Sequence, residues 1–189
     1  MNDLKTSNWL TGLLREHPAL LVSLIYIVAT TIGMFYSWDY LRQFGINVFN
    51  YAQIGDFLMA SLKEPFTWLL ALFAVTLVAG DNLMSRRFEK RNKFRWLRWY
   101  GSERYRSINY LIAILVVAIF LHGYAILNAK KTFAGEGQTV EVRLTDDKEI
   151  KTTLLLDTTG QFLFLFNHKT RQVTIHPHEN VRSISFLAP

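Results

Sequence analysis

Hydrophobic and polar positions along this 189-residue chain fall into long blocks first and short alternations last. Residues 107–129, SINYLIAILVVAIFLHGYAILNA, contain no Asp, Glu, Lys or Arg. A helix rises about 1.5 Å per residue, so about twenty such residues cross a hydrocarbon layer of about 30 Å. The block is expected to span a membrane, since a chain of this length cannot bury several such helices in one core. Residues 18–38 form a second charge-free block, and Pro18 suits a first helical turn. Residues 65–84 form a third, opened by Pro65 and Trp68. Its uncharged part is short, and spanning needs Asp81 and Asn82 at headgroup depth or a locally thin bilayer.

Between the first two blocks, Phe44-Gly45 reads as a turn and Asn50 as a helix cap. Tyr51, Ile54, Phe57, Leu58 and Leu62 then recur at helical spacing. This helix is too short to span and is expected in the membrane interface. A re-entrant half-helix is the alternative, although no TVGYG-like filter accompanies it. Residues 1–17, with Trp9 as an anchor, are expected on the membrane surface. They are not read as a signal peptide, because the apolar run that follows is too long.

After Thr132 the period changes to two. Residues 139–144, 149–157, 161–166, 172–176 and 181–186 read as short strands separated by polar turns. Five short strands in such a compass suggest a small, strongly bent barrel. The segment VEVRLTDDKEIKTTLLLDTTGQFLFLFN, followed by VTIHPHENVRSISF, resembles the Sm-like barrel pattern over residues 139–186. Asp147 and Thr152 stand where that family usually has glycine, and Asn180 precedes Val181 without one. The RNA-binding residues of Sm proteins therefore do not carry over. The resemblance implies a barrel whose edges suit ring-like self-association. Small-conductance mechanosensitive channels also place an Sm-like domain after three spans, but behind a Gly/Ala-rich pore helix that is missing here. FGINVFNYAQIGDF is similar to bacterial multi-pass proteins of unknown function, and nothing is carried over from them.

Charge sharpens the picture. Nine of the 21 Lys and Arg lie within residues 84–107, among them Arg86, Arg87, Lys90, Arg91, Lys93, Arg95 and Arg98. Interleaved aromatics also suit single-stranded nucleic acid. Flanked by two apolar blocks, however, the loop is expected to meet anionic lipid headgroups, with no nucleic acid partner. With three spans, the N-terminus and this loop share one side, and Lys5 and Arg15 raise its count to eleven. Arg42, Lys63, Lys130, Lys131, Arg143 and Lys148 give six on the other. The excess places the N-terminus and the loop in the cytoplasm of a bacterial inner membrane, and the C-terminal domain outside. The absence of Cys excludes disulfides, thiolate metal sites and a catalytic thiol.

Candidate chemistry is sparse. Ser23, Tyr26, Thr30 and Gly33, with Ser37, share one helix face, which suits close helix packing or a pore lining. His122 is the ionisable side chain well inside a block, a proton-relay candidate or a structural histidine bonded to a neighbouring helix. His176-Pro177-His178, with His168, has Zn²⁺-like spacing. Pro177 interrupts the ladder, so a solvated turn is expected and no metal is assigned. Asp146, Asp147 and Glu149 read as a turn cluster. No G-x-S-x-G, P-loop or H-E-x-x-H occurs, so neither catalysis nor a cofactor has positive support.

The expectation is therefore a membrane α-helical fold: three transmembrane helices, an interfacial helix and a C-terminal small all-β barrel. Its parts are an N-terminal segment (1–17), a transmembrane domain (18–131) and the barrel (132–189). Its function is expected to be non-enzymatic: a homo-oligomeric assembly, ion-conducting in one version, assembled or gated by the β domain. The alternative is a membrane-resident binding module whose β domain captures a protein partner, as an immunity or accessory subunit does.

Overall fold

The computed structural model of the protein describes residues 18–64, 103–145 and 150–187, with positions 66, 68–70, 72, 73, 76 and 80. Helices α1 (Pro18–Arg42), α2 (Ile54–Lys63) and α3 (Glu103–Phe133) precede strands β1 (Thr139–Leu144), β2 (Ile150–Thr158), β3 (Phe162–Asn167), β4 (Gln172–Pro177) and β5 (Val181–Phe186). The described positions between 66 and 80 are also helical.

The two long helices end alike. The Ile46 N–H donates to the Leu41 carbonyl at 3.1 Å, and Gly45 N–H to Arg42 at 3.0 Å. Glu136 and Gly135 repeat the pattern onto Lys131 and Thr132 at 2.9 and 3.0 Å. Each motif needs one residue in the left-handed region, supplied by Gly45 (φ 75°) and Gly135 (φ 88°). The turn expected at Phe44-Gly45 is this one. The cap expected at Asn50 is not found there. Asn47 instead accepts from the Phe49 N–H at 3.3 Å to start a short 3-10 turn, Val48–Asn50. Helix α2 starts after Gln53, whose N–H donates to Asp56 Oδ2 at 2.7 Å.

The three-span arrangement is overturned. Among the described residues one stretch, Ile108–Phe133, is long and apolar enough to cross a membrane. Block 18–38 is one helix, but it runs on to Arg42 and its C-terminal half is protein core. Ala29, Tyr36, Ser37, Asp39, Tyr40 and Leu41 are all buried. Absence of charge records burial against protein there, a distinction composition alone cannot make. Much of block 65–84 lies outside the described residues.

The barrel is also overturned, although the strands fall close to the expected places. All pairs are antiparallel in one sheet of order β4-β3-β2-β1-β5, with β4 and β5 as its two open edges. Register shifts at Leu155/Asp157 and Arg143/Leu144 bend it. Closure is unnecessary because helices cover one apolar face. Leu154, Leu156, Phe164 and Phe166 pack with Tyr36, Tyr40, Leu41, Ala125 and Ala129 in one cluster. The opposite face gathers Val140, Val142, Leu163 and Leu165 with Val181 and Ile184. Strand β3 is thus buried on both faces, which is why it reads FLFLF without alternation.

Aromatic contacts fasten helices to sheet. Phe44 and Phe133 stack at 4.6 Å just beyond α1 and at the end of α3, and both meet Phe166 edge-on at 5.2 and 5.3 Å. Tyr51 meets Phe162 and Phe164 edge-on. Both long helices therefore bring their C-terminal ends to the sheet. Toward their N-termini they expose apolar side chains: Val22, Ile25, Ile27 and Val28 on α1, and Leu111, Ile114, Leu115, Ile119 and Phe120 on α3.

Candidate functional site

Where the helices meet the sheet, a cavity of about 400 Å³ opens. Tyr36 and Tyr40, one turn apart on α1, stack at 6.0 Å, and Tyr36 tilts against Tyr124 of α3 at 5.6 Å. Each hydroxyl is held. Asn128 Nδ2 donates to Tyr36 Oη at 2.9 Å, Tyr40 shares a hydrogen bond with Thr132 at 3.1 Å, and Tyr124 donates to Glu64 Oε2 at 2.8 Å. These bonds fix the rings and leave aromatic surface lining the cavity.

The charged rim comes from three elements. Lys63, at the end of α2, reaches Asp157 Oδ1 of β2 at 3.3 Å and donates to the Thr158 carbonyl at 3.2 Å. Burial pushes the Asp157 carboxyl above the ordinary carboxylate range, against the opposing pull of Lys63 and of the Thr158 N–H. Asp56 ties the other end of α2 to the β2–β3 turn, accepting from Gly160 N–H at 2.8 Å. Helix α2 is thereby clasped to the sheet at both ends. Glu64, Lys131 and Glu136 complete the charged lining.

A second polar feature joins α1 and α3. His122 Nδ1 lies 2.7 Å from Asp39 Oδ2, with the aspartate side chain 5% exposed and the histidine side chain 54% exposed. The histidine singled out in the sequence is thus bonded to a neighbouring helix. In the sequence Asp39 reads as the first residue after a charge-free block, whereas α1 continues through it to Arg42.

The expected small-residue face of α1 divides. Gly33 faces α2, where an added Cβ would lie 1.8 Å from the Phe57 carbonyl oxygen. Ser37 is buried, and Thr30 Oγ1 is buried without a hydrogen-bond partner among the described residues. Ser23 instead donates to the Ala19 carbonyl of its own helix, and Tyr26 is exposed. The lipid-facing candidates Arg86, Arg87, Lys90, Arg91, Lys93, Arg95 and Arg98 lie outside the described residues, as do Asp146, Asp147 and Glu149. His178 Nε2 is 2.9 Å from the Thr159 carbonyl oxygen, and His168 lies against Gly135. Among the described residues no group of three or more His, Cys, Asp or Glu is placed to hold a metal ion.

The tyrosine cluster was legible only as aromatic residues. Tyr36 and Tyr40 stand one turn apart and Tyr124 and Asn128 likewise, but no spacing says that the two pairs meet. Among the described residues, fold and site together define a helical base with one candidate membrane span, carrying an open antiparallel sheet with a cavity at their junction. Comparison with known protein families, curated proteins and solved structures finds no match for this chain.

Proposed function

We propose that the protein is a non-enzymatic membrane-anchored assembly subunit that associates with copies of itself through the open sheet edges. The observation that carries this reading is the pair of edges: among the described residues, β4 and β5 each bond one neighbouring strand and no other. An edge strand offers a row of backbone donors and acceptors to another chain. Phe186 and Leu187, at the end of β5, are exposed apolar residues that such pairing would cover.

Anchoring rests on Ile108–Phe133 and on the exposed apolar N-terminal half of α1 beside it. An exposed apolar surface of this extent marks contact with lipid or protein. Both helices lead away from the sheet toward their N-termini, so the sheet domain sits at one boundary of the bilayer. The basic stretch 84–107 precedes α3, and the positive-inside rule then makes the sheet domain extracytoplasmic. The test is the mass of the particle in lipid nanodiscs, with Phe186→Lys on β5 and Thr174→Lys on β4. Wild type is expected as an oligomer and each variant as a smaller species. A monomeric wild type, or variants that assemble unchanged, would overturn the reading.

A further inference from the structure

Among the described residues, helix α2 is apolar on the side that no other element covers. Ile54, Leu58 and Leu62 form one row at four-residue spacing, with Met59 beside it. Ile54, Met59 and Leu62 are exposed, while Phe57, Ala60 and Ser61 on the other side are buried. Both charged residues of α2 are drawn to the sheet, Asp56 by the Gly160 N–H and Lys63 by Asp157. A helix at a water surface shows the reverse, with its charges outward.

Its place in the fold points to what lies against that row. Helix α2 crosses α1 at Gly33, just beyond Val28, where the strongly exposed apolar side chains of α1 stop. On α3 the corresponding run ends at Phe120, short of His122. From there toward the sheet the groups are polar and paired: Asp39 with His122, Glu64 with Tyr124, Lys63 with Asp157. The exposed Arg42 lays its guanidinium 5.1 Å over the Trp38 ring next to Asp39. Tryptophan and arginine are anchors at headgroup depth, where the guanidinium meets phosphate. Helix α2 thus sits between an apolar zone and a polar one.

We infer that α2 lies in the headgroup layer of a phospholipid bilayer, with Ile54, Met59 and Leu62 reaching the acyl chains, and that the hydrocarbon ends near the Asp39–His122 pair. A surface helix of this kind buries its apolar face by about 5–10 Å. The clasps at Asp56 and Lys63 then hold the sheet against the membrane surface. Helix α3 leaves the lipid early, because Ala125 and Ala129 already belong to the core it shares with the sheet. Leu127 is exposed and lies within the apolar stretch Ile108–Phe133, yet it stands outside the hydrocarbon. At about 1.5 Å per residue, about 10 Å of helix separates it from Phe120. The inference rests on the membrane anchoring proposed above. A second copy or another protein over the α2 row is the competing cover.

The chain holds no cysteine, so Ile119→Cys, Met59→Cys, Leu62→Cys and Leu127→Cys each carry one spin label at one known site. The full chain is placed in nanodiscs of phosphatidylethanolamine and phosphatidylglycerol. Collision of each label with oxygen, which concentrates in hydrocarbon, is compared with collision with a water-soluble nickel chelate. Ile119 is expected to favour oxygen most strongly, Met59 and Leu62 to favour it less strongly, and Leu127 to favour nickel. A nickel preference at Met59 and Leu62 equal to that at Leu127 would put α2 in water and overturn the proposal. Shielding of both α2 sites from both agents would put a protein over the row and overturn it too. So would an oxygen preference at Leu127 matching Ile119. All four side chains are exposed, and Ile54→Cys replaces either α2 variant that melts below wild type. A nickel preference at Ile119 as well would take the anchoring reading down with the proposal, whereas failure of self-association shows separately as a monomeric particle.

Discussion

Substituting Gly33 by alanine tests the packing on which the cavity depends. The new Cβ would sit 1.8 Å from the Phe57 carbonyl oxygen and 2.9 Å from both Phe57 C and Ser61 N. All three are backbone atoms, so no rotamer change relieves the clash. To reach even a 3.0 Å contact, the oxygen must retreat by roughly 1.2 Å, and α2 must move with it. A gap of about 0.5–1 Å forfeits roughly a quarter to a half of the dispersion energy between facing atoms. Phe57, Ala60 and Ser61 are buried on α2 and would lose contact together. Overpacking of this kind costs about 1–3 kcal/mol, and a backbone clash belongs at the upper end. At about 3 kcal/mol the melting temperature of a chain this size falls by about 6–12 °C.

The assay is thermal unfolding of the full chain in detergent, followed by tryptophan fluorescence, with Gly55→Ala as control. Gly55 lies in α2 itself, and a Cβ there meets nothing within 4 Å. Alanine suits a helix better than glycine, so this control should melt at or slightly above wild type, by up to about 1 kcal/mol. The same chemical change thus has opposite signs at two sites. If Gly33→Ala melts within a degree of wild type, the close crossing of α1 and α2 is wrong.

Two further outcomes follow from the polar contacts. Removing the imidazole with His122→Ala leaves the buried Asp39 carboxylate without the partner described for it. Breaking a fully buried pair costs about 3–5 kcal/mol. The half-exposed histidine lowers the expectation to about 2 kcal/mol, read in the same melt, and an unchanged melt would show that Asp39 has another route to solvation. For Asp157, burial raises the folded-state value above the unfolded one. Its contribution to stability is therefore fully present below the ordinary carboxylate range and is lost as pH rises through the raised value. Stability measured by denaturant from pH 4 to pH 7 should fall more for wild type than for Asp157→Asn; parallel curves would refute the shift.

Sequence alone determined where the elements lie. The charge-free run at 107–129 had to be a helix, and Ile108–Phe133 is the described stretch able to cross a membrane. The alternation after Thr132 placed the strands, because side chains on a half-buried strand must change faces at every residue. The glycine at each long helix's end is likewise local, since only a left-handed residue closes that hydrogen-bond pattern. What covers each apolar surface was decided by tertiary structure. The charge-free residues in the C-terminal half of α1 pack against α2, α3 and the sheet, although their composition would also suit lipid. The apolar face of the sheet is covered by helices, so the strands do not close on themselves. Tyr36, Tyr40, Tyr124, Glu64 and Asp157 come from four separate segments and meet because Phe44, Phe133 and Phe166 lock the helix ends to β3. Periodicity reports which side of an element is apolar, and it carries no information about which other surface that side will bury against.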